Sequence, residues 1–485
     1  MSDPNVLLIV MDTARAQNAF NPEITPNLRA IAEEGTSFTK AFSTAPWTLP
    51  SHASMFTGQY TSDHNTQAGT KQFNPDVPTL AELLYKEGYQ TVGVSNNTWV
   101  SSDFGFDRGF AEFFVGWELL SGGADLPTIA KSHDSTVSQI RAVGRELLST
   151  DAPQTLVNAV YAQFLRKRYD DGARVTNWRI RRWFSKQWNK SRPFFMFVNY
   201  LEPHLKYDPP DGFIDKFLPE EMDRSFVEDI NQDAWSYMCG QVEMNERDFR
   251  ALSALYNGEL AYLDHRIGQM VDHLDKLGVL DETVLIIIGD HGENIGEHGL
   301  MDHQYSLYDT LLHVPLIIRY PKAFDKGSKK GELVELRDIY PTILDLTGVK
   351  QPDNETASEH SLLDEKVRDH IIGEYITPQP SMEALRKRVE NVPEEVRRYD
   401  RGLRCMRTAE WKYIEGTDGS EELYNINVDP EETTNVANDH PRVCAAFAEQ
   451  LTAKRGELFR VDRDELTTEM DATTEQRLED LGYLQ

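Results

Sequence analysis

The stretch Val6-Leu7-Leu8-Ile9-Val10-Met11-Asp12 decides the fold. Consecutive apolar residues without polar alternation are what a strand buried on both faces requires. A carboxylate ends the run. Three further runs share this form. Phe194 to Tyr200 stops before Glu202-Pro203-His204, and Val284 to Ile288 stops at Gly289-Asp290-His291. In Val314-Pro315-Leu316-Ile317-Ile318 the proline marks strand entry. Between the runs, apolar residues at three- and four-residue spacing predict helices over Leu28 to Glu34, Thr79 to Glu87, Val175 to Trp188 and Ala251 to Leu277. This alternation predicts an α/β fold, a large and mostly parallel sheet sandwiched by helices. Chemistry in such sheets gathers at the carboxyl ends of strands. Three of the four runs deliver polar, metal-competent residues there.

From these runs a catalytic α/β domain is expected over 1–350, with a less regular, helix-rich part at 117–192. Within that part the basic residues around Trp178, Trp183 and Trp188 read as the solvated face of an amphipathic helix. Past residue 350 the composition shifts. Gln351 to Glu365 reads as a linker or surface excursion. Leu403 to Ile414 and Glu422 to Ile426 read as short strands around Gly416-Thr417-Asp418-Gly419. A small C-terminal α+β subdomain with an antiparallel sheet is therefore expected at 365–440, then an acidic helical tail at 441–485.

The chain has 485 residues and a net charge of −29, and 31 of its 50 basic residues are Arg. Nucleic acid and anionic membrane are both disfavoured as partners by this charge. Few Lys among many carboxylates suggests a halophilic, acidic surface. Three widely spaced cysteines, Cys239, Cys405 and Cys444, point to a reducing compartment, and no apolar run has the length of a signal peptide or a membrane span. A cytoplasmic location is the expectation. The sequence carries no sign of oligomeric state.

Asp12, Asp290 and His291 each end an apolar strand. Two carboxylates and an imidazole suit one divalent cation: Ca, Mn, Mg or Zn. Thr48-Leu49-Pro50-Ser51-His52 places a hydroxyl just before a proline and a helix start, where backbone N–H groups and the helix dipole favour an oxyanion. Thr48 reads either as an N-cap or, bound to the cation, as a nucleophile.

These segments resemble the sulfatase family of the alkaline-phosphatase-like superfamily. Asn5 to Asp12 is similar to the family's opening strand and first metal ligand. Thr48 to Gly58 is similar to the signature around its nucleophile. Glu202-Pro203-His204-Leu205-Lys206-Tyr207, Gly289 to Glu293, and His303 through His313-Val314-Pro315-Leu316 resemble later motifs, and Arg407 to Pro430 resembles the small subdomain. The departures are specific. Thr48 stands where the family has the Cys or Ser that becomes formylglycine, so no formylglycine is expected. His52 stands for the signature arginine, with a partial charge at neutral pH. Asn96 and Thr98 stand for the Lys and His that grip sulfate. Thr13 replaces an aspartate.

The resemblance implies a metal-dependent hydrolase of sulfate or phosphate esters acting on a small-molecule or carbohydrate ester. Asp12, Asp290, His291 and Thr48 hold the cation. Thr48 attacks through a covalent threonyl intermediate, while His204 and His303 protonate the leaving group or steady the anion. A phosphoryl transferase resembling phosphoglycerol and phosphoethanolamine transferases is the alternative, and a catalytically silent binding module another. Glu202 reads as a second-cation ligand or an exposed loop carboxylate, Lys206 as a candidate substrate contact, and His298 and His313 as ordinary structural residues.

Overall fold

The computed structural model describes residues 3–118 and 170–461 (except 211, 354, 355, 365, 366, 390 and 391), with 474, 475, 477 and 478. Most of the 117–192 part and of the tail beyond Arg455 thus falls outside the described residues.

The apolar runs form strands at the centre of the molecule. The large sheet comprises β1 (Asn5–Met11), β2 (Thr36–Phe42), β3 (Gln90–Ser95), β4 (Glu112–Val115), β5 (Phe194–Tyr200) and β6 (Thr283–Gly289). After a two-stranded ribbon, β7 (Asn294–Ile295) with β8 (Met301–Asp302), it continues with β9 (His313–Arg319), β10 (Ser328–Lys330) and β11 (Val334–Glu335). Its order is β10-β2-β9-β6-β1-β5-β3-β4, with β11 also on β2. Every residue of β5 and β6 is buried, as is all of β1 beyond Asn5. Successive side chains point to opposite faces, so both faces are covered. β9 runs antiparallel to β6 and β2; the other pairings are parallel.

Four helices matter below: α1 (Thr48–Thr57), α2 (Ala173–Lys186), α3 (Glu246–Lys276) and α4 (Pro441–Arg455). The 31 residues of α3 open on an Asn245/Asp248 capping box and close on His273 and Lys276, matching the helix dipole. Among the described residues, no helix is long and apolar enough to cross a membrane.

The C-terminal sheet is antiparallel, β12 (His370–Tyr375), β13 (Leu403–Thr408), β14 (Trp411–Gly416) and β15 (Glu421–Asn425), in chain order. One face carries Ile371, Tyr375, Leu403, Cys405 and Ile414 into the main core. The other packs Ile372, Met406, Tyr413 and Leu423 against Phe447 and Leu451 of α4. The run Leu403 to Ile414 is therefore a hairpin rather than one strand. The described residues between 351 and 364 also depart from a surface linker. Ala357, Ser358, Ser361 and Leu362 are buried, and Ser358 donates its N–H to Gly58 O at the end of α1.

Candidate active site

Parallel neighbours bring their carboxyl ends to one edge. Met11 pairs with Gly289 and Tyr200, and Ser95 with Asn199. The residues that follow β1, β3, β5 and β6 thus meet at one level. They are Asp12, Asn96–Asn97, Glu202–His204 and Asp290–His291.

Asp12 Oδ1, Asp290 Oδ2 and His291 Nε2 stand 3.5–3.7 Å apart through the imidazole, all fully buried. The carbonyl of Gly292 lies 2.9 Å from His291 Nδ1. A carbonyl only accepts, so Nδ1 carries the proton and Nε2 presents a lone pair. Asp290 Oδ1 accepts the N–H groups of Thr13 and His291. Asp12 Oδ1 and Asp290 Oδ2 have no hydrogen-bond partner. Burial pushes Asp12 up to about 7, and burial together with the Asp12 charge pushes Asp290 well above the usual carboxylate range. Burial and the positive charge of His303 hold His291 well below the usual imidazole range. Two buried carboxylate oxygens that converge without a donor are costly unless a cation lies between them. The donor set therefore fits a divalent cation.

Thr48 is the first residue of α1; the N-cap position belongs to Trp47, and no side chain caps the helix. The N-cap reading of Thr48 does not hold. Its Oγ1 lies 3.2 Å from His291 Nε2 and 3.4 Å from Asn97 Nδ2. Since Nε2 offers a lone pair, the hydroxyl donates to it.

His52, one turn on, donates Nδ1–H to the carbonyl of Thr48 at 2.9 Å and lies 3.6 Å from Asp290 Oδ2. Phe106 and Phe197 meet its ring edge-on. Burial pushes it down to about 4, so His52 is neutral and cannot stand in electrostatically for an arginine. The expected partial charge is corrected by this desolvation.

His204 and His303 reach the same centre. The ring centroids of His291 and His303 are 4.6 Å apart, and those of His204 and His303 5.2 Å. His303 Nδ1 lies 2.6 Å from Asp302 Oδ1 and 3.3 Å from Glu293 Oε1. Burial works against its charge, but Asp302 and Glu293 override it and hold the imidazolium well above the usual range. Glu293, Asp302 and His303 form a second group of metal-type ligands, but a shared proton already joins them. Burial and the His303 charge push His204 down to about 4, and its Nδ1–H donates to the Leu205 carbonyl.

Glu202 is not exposed. It is fully buried, and its Oε1 accepts the N–H of Ala173 at the start of α2. Lys206 is exposed. His313 binds the Thr39 carbonyl and stacks on Phe42, and His298 stacks on Tyr308, both structural roles. Asn96 bonds Thr176 of α2. The sequence reading missed Asn97 and Asn199, whose side chains flank Asp12. It also missed the Glu293/Asp302 pair that charges His303. The strand-end rule reaches Asn97 once Val92-Gly93-Val94 is accepted as strand.

The sequence profile of the family described as Sulfatase matches residues 4–349, and that of N-sulphoglucosamine sulphohydrolase, C-terminal, matches 296–457. The chain belongs to the sulfatase family, a family of ester hydrolases. An arylsulfatase of Clostridium perfringens is 26% identical over 467 residues, covering 90% of each chain. The phosphonate monoester hydrolase of Silicibacter pomeroyi superposes with a TM-score of 0.67 at 23% identity, over 93% of this chain and 95% of that one. A protein solved with its substrate D-glucosamine-2-N,6-O-disulfate superposes with a TM-score of 0.66 at 20% identity, over 94% and 98%.

Proposed function

We propose that the protein hydrolyses sulfate or phosphate esters of small molecules or carbohydrates, with unmodified Thr48 as nucleophile and no formylglycine. One observation carries this reading: the Thr48 hydroxyl lies 3.2 Å from the lone pair of His291, at the convergence of the unpartnered oxygens of Asp12 and Asp290. A silent relative would have little reason to keep such a costly convergence. Asp12, Asp290, His291 and Thr48 would hold one divalent cation, Ca, Mn, Mg or Zn, which supplies charge neutralisation and a more acidic hydroxyl when bound.

The chain's own groups do the rest. Thr48 Oγ1 gives up its proton to His204 and forms a bond to the sulfur or phosphorus while the bond to the leaving oxygen breaks. His303, whose proton two carboxylates retain, steadies the anion as a fixed positive charge. His204, neutral because burial and the His303 charge hold it down, relays protons: it passes the one taken from Thr48 to the leaving oxygen, then takes one from the attacking water and returns it to Thr48 Oγ1. That water cleaves the threonyl ester and regenerates Thr48. Phosphoryl and phosphonyl esters suit this route better than sulfate. A hydrated aldehyde can expel sulfate by elimination, whereas a threonyl ester must be cleaved at the central atom.

The test is a panel of p-nitrophenyl sulfate, phosphate monoester, phosphate diester and phosphonate monoester, with Ca, Mn, Mg and Zn in turn. Turnover of one class that disappears in Thr48→Ala supports the reading. Equal turnover in Thr48→Ala, or none by a folded sample with any cation, overturns it. Product carrying an added alcohol in place of water identifies a transferase.

A further inference from the structure

Asn97 is fully buried directly beyond β3. Its Oδ1 accepts the N–H of Trp99 at 2.9 Å. That contact fixes the orientation of the amide, because only the oxygen can accept. Ser95 Oγ both receives the N–H of Asn97 and donates to its carbonyl, so the backbone is held as well. The NH2 group therefore faces the site. It stands 2.7 Å from Asp12 Oδ2 and 3.4 Å from Thr48 Oγ1.

We propose that Asn97 is a positioning residue that sets the nucleophile and the first carboxylate in register. This rests on the reading of Thr48 as nucleophile. An amide NH2 has two hydrogens, and here two acceptors that must act together. The bond to Oδ2 leaves Oδ1 as the oxygen Asp12 presents towards Asp290 and His291. The contact with Oγ1 occupies a lone pair of Thr48 and turns its own O–H to His291 Nε2. A fixed rotamer at the nucleophile is what in-line attack requires. A neutral donor does this without adding charge beside the two carboxylates, as a Lys or Arg would.

Two variants separate positioning from packing. Asn97→Ala removes both the donor and the Trp99 contact. Asn97→Asp keeps the shape and the acceptor for Trp99 N–H but turns a second acceptor towards Asp12 and Thr48. Two readouts are needed: kcat and KM on the best p-nitrophenyl ester, and calorimetric titration with Mn²⁺ alone. Supporting partners of metal ligands are worth roughly 10–100-fold. Asn97→Ala is expected to weaken Mn²⁺ binding and lower kcat by about that factor each. Asn97→Asp is expected to lose about as much kcat while KM stays near wild type, and to melt below wild type because it adds a buried acceptor beside Asp12. Wild-type kcat in Asn97→Asp would assign Asn97 to the turn alone and overturn the proposal, as would unchanged Mn²⁺ affinity in Asn97→Ala. If wild type neither binds Mn²⁺ nor turns over any ester, the Thr48 reading fails first and takes this one with it.

Discussion

Asp12→Asn should stabilise the cation-free protein while abolishing its activity. In the wild type, burial raises Asp12 from 3.8 to about 7. An acid with a raised folded pKa binds its proton more tightly in the folded state. Stability therefore falls as pH climbs from about 4 to 7 and stays low above that. Three pH units correspond to about 4 kcal/mol, at 1.36 kcal/mol each. Unfolding entropy of about 2.1 cal/mol/K per residue gives a chain this long roughly 1 kcal/mol per degree, so the effect is about 4 °C. In D12N the amide oxygen can keep the Asn97 contact, and its NH2 faces the unpartnered oxygen of Asp290 and the lone pair of His291. The assay is thermal unfolding of EDTA-treated wild type and D12N from pH 5 to 8. The difference between them reports Asp12 together with the part of the Asp290 shift that the Asp12 charge causes, while His52 and His204, held down at about 4, contribute equally to both. About 2 of those pH units fall between pH 5 and 8, so D12N should gain on wild type by roughly 3 °C across that range. Saturating Mn²⁺ should restore the wild type and leave D12N unmoved. Parallel curves for the two stripped proteins would refute the claim that these acceptors need a cation.

Three further outcomes follow from the same geometry. His204→Gln should lower kcat/KM, which reports the first step, by roughly 10²–10⁴-fold on alkyl esters and by less on p-nitrophenyl esters, whose leaving group needs no proton; equal losses in kcat/KM on both would remove its role at the leaving oxygen. Lys412→Met should destabilise the fold by about 3–5 kcal/mol, because it strands Glu432 and leaves Asp309 with Arg407 alone, each carboxylate being 2.7 Å from the buried ammonium. Chemical denaturation measures this. For Glu335, burial is outweighed by Arg368 and Arg337, which hold the carboxyl down to about 2. Its stabilisation is complete above about pH 4.5 and lost as pH falls towards 2, so Glu335→Gln should flatten the acid-unfolding limb by on the order of 3 kcal/mol.

The central strands were legible because each is apolar on both faces, a pattern that needs no partner to interpret. β2, Thr-Ser-Phe-Thr-Lys-Ala-Phe, was not: Thr39 and Lys40 are half-buried, and its pairing with β9 is interrupted by a bulge between Phe38 and Ala41. β12 lies within the expected 365–440 subdomain but was not singled out as a strand, because its burial depends on a sheet completed more than thirty residues later. At the site, the convergence of Asp12, Asp290 and His291 was legible from their places at strand ends. The charge states were not. His52, His204 and His303 are identical in sequence terms, and only Asp302 and Glu293 beside His303 make one of them a cation.

That distinction ties the small C-terminal sheet to the chemistry. His303 begins the segment that runs to β9, and this segment has little helix or strand of its own to fix it. Tyr305 OH donates to the Pro380 carbonyl, and Tyr308 OH to Glu422 of β15. Asp309 receives Arg407 of β13 and Lys412 of β14, while its N–H donates to Glu432. Each anchor comes from beyond residue 375. Burial would raise the Asp309 carboxyl, yet Lys412 and Arg407 hold it well below the usual range, so the anchor stays ionised at any pH where the enzyme works. The C-terminal sheet thus acts at a distance from the reacting atoms. It fixes the path of the chain that carries the imidazolium, and the antiparallel pairing of β13 with β14 sets the spacing of the two cations that grip Asp309.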